Sequence, residues 1–253
     1  MFGYNSVCFS PDGRCLALGC REQVVHVWSI ASESILLTLT GHRNEIPAVC
    51  FSPVGSSIAS GSHDYTIRLW SLSTGACSVT LRGHTGEVYS VCFSPDGSLL
   101  ASSSHDNSIR LWTLSSGSVV SLLGHDQMVF SVCFSPDGSS LASGSRDSSI
   151  RIWSVASASC ISNLRGHTSE VRSLCFSPDG NYLVSGGGSV KNDDTVRIWS
   201  LSKALNTQSL LGHTSSINST CFSPTGTYLA GLHHKYLVVR YGAVRAYPNW
   251  TWR

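Results

Sequence analysis

Serine, histidine and aspartate recur together four times along this 253-residue chain, at spacings that hardly change. His42, Ser60 and Asp64 form the first set, followed by His84, Ser102 and Asp106, by His125, Ser143 and Asp147, and by His167, Ser185 and Asp193. A hydroxyl, an imidazole and a carboxylate are the parts of a nucleophilic triad, in which the imidazole takes the hydroxyl proton and the carboxylate orients the ring. Two observations argue against that chemistry. A catalytic centre is needed once, whereas this set returns four times, and no Gly-x-Ser-x-Gly elbow carries any of the serines.

Ten cysteines invite a metal or disulfide chemistry instead. Six of them, Cys8, Cys50, Cys92, Cys133, Cys175 and Cys221, sit just before a phenylalanine at one repeated position. If equivalent positions lie on stacked sheets about 10 Å apart, they can neither share a zinc ion, which needs sulfur at about 2.3 Å, nor pair as disulfides. Cys15, Cys20, Cys77 and Cys160 show no C-x-x-C spacing. The expectation is small hydrophobes packed between sheets, and free thiols point to a reducing compartment.

The elements that must position these residues repeat with them. Each set ends on a tryptophan: Trp70, Trp112, Trp153 and Trp199 stand 28, 28, 28 and 32 residues after their histidines, and Tyr241 stands 28 after His213. A period of about 41 to 46 residues over nearly the whole chain implies a stacked or radial repeat. Within residues 83–122, Val88–Phe93 reads as a strand and Ser94-Pro95-Asp96-Gly97 as a type I turn, with proline fixing φ and glycine accepting a positive one. Strands over 99–103 and 108–112 follow, then a weaker one over 119–122. Four short strands per repeat and no long amphipathic helix predict an all-β chain built of propeller blades.

Gly-His, Phe-Ser-Pro-Asp-Gly, Leu-Ala-Ser-Gly-Ser, Asp and Ile-Arg-Leu-Trp together resemble the WD-repeat (β-transducin-like) family over roughly residues 1–241. The aspartate that follows the tryptophan in the family's name is here Ser29, Ser71, Thr113, Ser154 and Ser200. The resemblance implies a single β-propeller of four-stranded antiparallel blades. It also implies that each quartet (His42, Ser60, Asp64 and Trp70; His84, Ser102, Asp106 and Trp112; His125, Ser143, Asp147 and Trp153; His167, Ser185, Asp193 and Trp199) is a structural tetrad, a buried hydrogen-bond chain rather than a reactive centre. The ends depart from it. Leu18 and Glu22 occupy the serine and aspartate positions of the first blade, and Gly231, Lys235 and Tyr241 replace serine, aspartate and tryptophan in the last.

Six blades are expected, at about 1–40, 41–82, 83–123, 124–165, 166–211 and 212–248, with a divergent tail over 242–253. The tail, around 243–247, is expected to supply the outer strand of the last blade. A seven-bladed ring lacking a piece, or a fragment of a longer WD-repeat protein, is the alternative.

Composition narrows the partners. Net charge is +2, charged residues are 13% and no basic block appears, so no nucleic-acid partner is indicated. No apolar run is long enough for a membrane helix and no signal peptide is visible. The two glycosylation sequons, at Asn218 and Asn249, are then chance matches. The expected location is cytoplasmic, nuclear or both. Serine is about a fifth of the chain, yet 42% hydrophobic content and regular strands exclude low-complexity disorder. No phosphate loop, cofactor fingerprint or metal cluster is seen, and no cofactor is expected.

Function is sought where equivalent positions differ in chemistry. One register, five residues after each histidine, reads Pro47, Tyr89, Phe130, Arg172 and Asn218, with Asn5 in the first blade. A second, just before the tetrad aspartate, reads Arg21, His63, His105, Arg146, Asn192 and His234. By the resemblance both face the top of a propeller. Aromatics and arginine are typical interface anchors, so Tyr89, Phe130, Arg146 and Arg172, with Pro47, His63 and His105, are the expected contacts for a protein or peptide that is acidic and carries an apolar anchor. Arg68, Arg110, Arg151 and Arg197 recur before each tryptophan and read as framework or solvated surface. The leading expectation is a non-catalytic scaffold or adaptor in a multiprotein complex. The alternatives are a propeller enzyme, or a ring holding a metal on His63, His105 and His234.

Overall fold

The structure is a computed structural model and describes residues 3–188, 193–202, 205–210, 213, 215–233 and 236–241. Two compact units divide the chain, residues 1–123 and 124–253. The first unit holds three four-stranded antiparallel sheets. They are β1 (Tyr4–Phe9), β2 (Cys15–Cys20), β3 (Val24–Ser29) and β4 (Ser34–Thr40); β5 (Ala48–Phe51), β6 (Ser57–Gly61), β7 (Ile67–Ser71) and β8 (Cys77–Leu81); and β9 (Val88–Phe93), β10 (Leu99–Ser104), β11 (Ile109–Thr113) and β12 (Val119–Leu122).

The second unit repeats the arrangement. β13 (Val129–Phe134), β14 (Ser140–Ser145), β15 (Ser149–Ser154) and β16 (Ser159–Arg165) form one sheet, and β17 (Val171–Phe176), β18 (Tyr182–Gly187), β19 (Val196–Ser200) and β20 (Leu205–Leu210) the next. The last sheet has three described strands, β21 (Ile217–Phe222), β22 (Tyr228–His233) and β23 (Tyr236–Tyr241). The tail expected to add a fourth lies outside the described residues. Every described element is a strand, and strands follow chain order within each sheet. No described helix is long and apolar enough to cross a membrane.

Local chemistry sets the hairpins. In the turn after β9, Gly97 N–H donates to Ser94 C=O at 2.9 Å and Gly97 takes a φ of 72°. The Asp96 carboxylate accepts from Ser94 Oγ at 2.6 Å and from Ser98 N at 3.0 Å, which closes the turn without outside help. In the second to fifth sheets the second strand is buried on both faces, as in Leu100 and Ala101, whereas a fourth strand such as β12 is largely exposed at Val119 and Val120. Burial between sheets therefore falls on the inner strands. Ile58, Trp70 and Val49 pack with Ala17, Val25 and Leu39 of the preceding sheet, and Trp199 packs with Ile150 and Leu164.

Neighbouring first strands approach more closely than a 10 Å sheet spacing suggests. Val49 N–H donates to Ser6 Oγ at 3.2 Å, and Thr220 N–H donates to Ser173 Oγ at 2.8 Å. The separation expected between equivalent cysteines does not hold here. The neighbouring Cys50 thiol, together with burial, pushes the Cys8 thiol far up. Cys50 is lowered by Cys8 but raised by Cys92 and burial, and ends at about 12. All ten cysteines are free thiols. The 10 Å spacing describes parallel stacked sheets, whereas these converge at their first strands.

Candidate functional site

The four quartets are brought together, each within one sheet. In the third sheet His84 Nδ1 lies 2.8 Å from Asp106 Oδ2, His84 Nε2 lies 2.8 Å from Ser102 Oγ, and Trp112 Nε1–H donates to the same Oγ at 2.9 Å. His42, Ser60, Asp64 and Trp70 repeat these contacts at 2.8 Å each. So do His125, Ser143, Asp147 and Trp153. His167, Ser185, Asp193 and Trp199 do the same, with a His–Ser distance of 2.6 Å. Burial raises each carboxyl, but hydrogen bonds outweigh it. For Asp106 these come from His84, Ser108 and the Thr85 N–H, and they leave the acid well below the usual range. The serine hydroxyls are fully buried, so none faces a substrate.

The repeated arginines serve this framework. Arg68 and Arg110 lay their guanidinium groups over Trp70 and Trp112, 5.8 and 5.9 Å from the ring centroids. Gly83 takes a φ of 152°, which side chains rarely adopt, and a Cβ there would stand 2.7 Å from Arg110 Nη1. The first sheet lacks the network: Leu18 pairs with His26 in register, and Glu22 accepts from the Gly3 N–H at 3.2 Å.

The variable registers form separate groups in the two units. In the first unit Tyr89 lies between two imidazoles, with ring centroids 5.7 Å from His63 at 84° and 6.3 Å from His105. Its hydroxyl donates to Glu87 Oε2 at 2.7 Å. Backbone bonds hold both histidines there, His63 N to Glu45 O at 3.0 Å and His105 N to Glu87 O at 2.8 Å. Pro47 is half-buried just before β5. Arg21 donates to Asn5 Oδ1 and Asn5 to Glu45 Oε2, both at 3.2 Å, which ties the register of the first sheet to the second.

In the second unit the Arg172 guanidinium sits 5.7 Å above the Phe130 ring. It is paired with the buried Glu170, Nη2 to Oε1 at 2.5 Å and Nε to Oε1 at 2.7 Å. Arg172 is therefore already neutralised, which removes one of the two cations expected to meet an acidic partner. Arg146 remains exposed and makes no ion pair among the described residues. Asn192 and His234 lie outside the described residues. No group of three His, Cys, Asp or Glu placed to hold a metal occurs among the described residues.

Glu45, Glu87 and Glu170 were missed in the sequence. They stand three residues after His42, His84 and His167, a periodic acid that is Met128 in the fourth sheet. That period was the signal available.

A protein-family model described as WD40, WD domain, G-beta repeat, matches six successive stretches: 3–29, 33–71, 75–113, 116–154, 158–200 and 205–237. From the second onward, most matches begin near a sheet's fourth strand and end on the third strand of the next, so the sequence repeat and the sheet are offset by one strand. Among curated proteins, the general transcriptional corepressor TUP1 of Saccharomyces cerevisiae is 43% identical over 42 residues. That segment is 17% of this chain and 6% of the relative.

Proposed function

Because the chain belongs to the WD domain, G-beta repeat family, we propose that it is a catalytically inert scaffold or adaptor. It docks protein or peptide partners through two groups, each within one unit: Pro47, Tyr89, His63 and His105 in the first, and Phe130, Arg146 and Arg172 in the second. One contrast carries this reading: repeated positions are spent on internal hydrogen bonds, while unrepeated ones group rings and charges within each unit. Tyr89 between two imidazoles and Phe130 beneath a guanidinium offer flat faces to an apolar anchor. The exposed Arg146 offers a charge to an acidic group. The tetrads act as framework, since each serine hydroxyl is already committed to an imidazole and an indole. WD domains generally bind other proteins, and the likeness of one segment to a transcriptional corepressor favours a nuclear setting for that binding.

The test is affinity capture from native lysate with mass spectrometry, using wild type beside the triple variant Tyr89→Ala, Phe130→Ala, Arg146→Glu. Both must first melt at similar temperatures. Partners that appear with wild type and vanish with the variant are the expected outcome. Identical captures would remove this register as the docking site.

A further inference from the structure

At the opposite end of the sheets from Phe130 and Arg146, where the Ser-Pro-Asp-Gly turns emerge, the second unit carries a groove of about 590 Å³. That is within the range of ligand pockets, roughly 300–1,000 Å³. It runs between the sheet of β13–β16 and that of β17–β20. Ile152, Leu164 and Phe176 line it as buried apolar side chains, and Ile161 beside them is 59% exposed. Asp137 and Asp179 stand exposed among the lining residues, and no lysine, arginine or histidine lines the groove among the described residues. Hydrogen bonds from Ser135 and Ser139 hold Asp137 below the usual carboxylate range, and those from Ser177 and Asn181 do so for Asp179 against burial.

The equivalent groove of the first unit explains why this one is open. There the space between the first two sheets is about 220 Å³. Ile152 pairs in register with Ser162, whereas its counterpart Val27 pairs with Leu37. Leu37 packs onto the core and occupies the volume that Ser162 leaves empty. The charges differ as well. Asp12 lies 3.9 Å from Arg14, and Val54 stands where Asp179 stands. These two grooves of one fold differ at three positions, Ser162 for Leu37, Ser139 for Arg14 and Asp179 for Val54, and these leave the second deeper and anionic.

We propose that this groove docks an extended segment of another protein, one that places an aliphatic or aromatic side chain over Phe176 and a lysine or arginine beside Asp137 and Asp179. Charge complementarity selects that occupant. Among the described residues the two carboxylates face no cation, on a chain whose net charge is +2, so an approaching basic side chain meets a local field opposite to that of the whole molecule. This surface is independent of the register at Tyr89 and Phe130.

The probe is a fluorescein-labelled octapeptide library with a central Leu, Phe or Trp flanked by Lys, Arg, Ser or Glu, read by anisotropy on the full chain. Peptides flanked by Lys or Arg should bind best, and less tightly as salt is raised. Ser162→Leu, which imitates the first sheet, should weaken binding about tenfold or more, and it should fold, because leucine is accommodated at the same register there. Asp137→Asn with Asp179→Asn should weaken it independently, while Tyr89→Ala leaves it unchanged. Equal binding of Glu-flanked peptides, binding that survives Ser162→Leu, or no binding at all would overturn the proposal. So would a wild-type dimer in sedimentation that Ser162→Leu dissociates, since the occupant would then be a second copy.

Discussion

Each complete network commits its serine on two sides. Trp112 Nε1–H donates to Ser102 Oγ, which also lies 2.8 Å from His84 Nε2. The other ring nitrogen lies 2.8 Å from Asp106 Oδ2. A buried hydroxyl held by both an indole and an imidazole is a poor nucleophile, and this separates the set from the triad its residue types suggest. Ser102→Ala leaves a buried indole N–H and an imidazole nitrogen unsatisfied at once. It should cost about 1–3 kcal/mol, measured by urea unfolding. The double variant with Trp112→Phe should cost less than the sum of the singles, because the two share one hydrogen bond. A Ser102→Ala protein as stable as wild type would mean that the network contributes nothing net.

At the scale of elements, glycine on the second strand governs how close the next sheet comes. A Cβ on Gly144 would stand 2.7 Å from Val171 Cγ1 and 3.1 Å from Val171 O. Gly61 meets Val88 and Gly186 meets Ile217 in the same way, at 2.6 Å each. Gly144→Ala forces β17 away from β14 and should lower stability by about 1–3 kcal/mol. Ser103 occupies this position in the third sheet, fully buried and with its hydroxyl unpartnered. Ser103→Ala should therefore be neutral or stabilising. Thermal melts of the two variants side by side check both. Strands and turns were readable in the sequence because proline, aspartate and glycine act over four residues. The role of Gly144 was not, since its partner is 27 positions away on another sheet.

For the whole molecule, the tetrads set the response to acid. The folded carboxyls of Asp64, Asp106, Asp147 and Asp193 lie below the unfolded value of about 4. The unfolded chain therefore takes up protons first as pH falls. Stabilisation is full above about pH 4 and is lost as pH drops toward the folded values. His167 adds to this with the same sign. Burial outweighs Asp193 and holds it below 6.5, so its contribution begins to fade as pH falls through 6.5. Unfolding free energy measured in urea at pH 7.5, 5.5 and 3.5 should decline at each step, most steeply at the last. A flat profile would contradict the depressed carboxyls.

Repetition is why so much of this protein was legible. Each repeat rewrites the same short-range rules, so six sets of strands and their turns follow from spacing, and the family resemblance adds the partners of His42, His84, His125 and His167. All of these are contacts within one sheet, where pairing register ties position to position. What only the tertiary structure decided lies between sheets. Arg172 of one sheet lies over Phe130 of the next, Cys8 meets Cys50, and Ser162 leaves a groove that Leu37 fills elsewhere. Those outcomes depend on the size and charge of side chains facing one another across separate sheets, and no local period encodes that meeting.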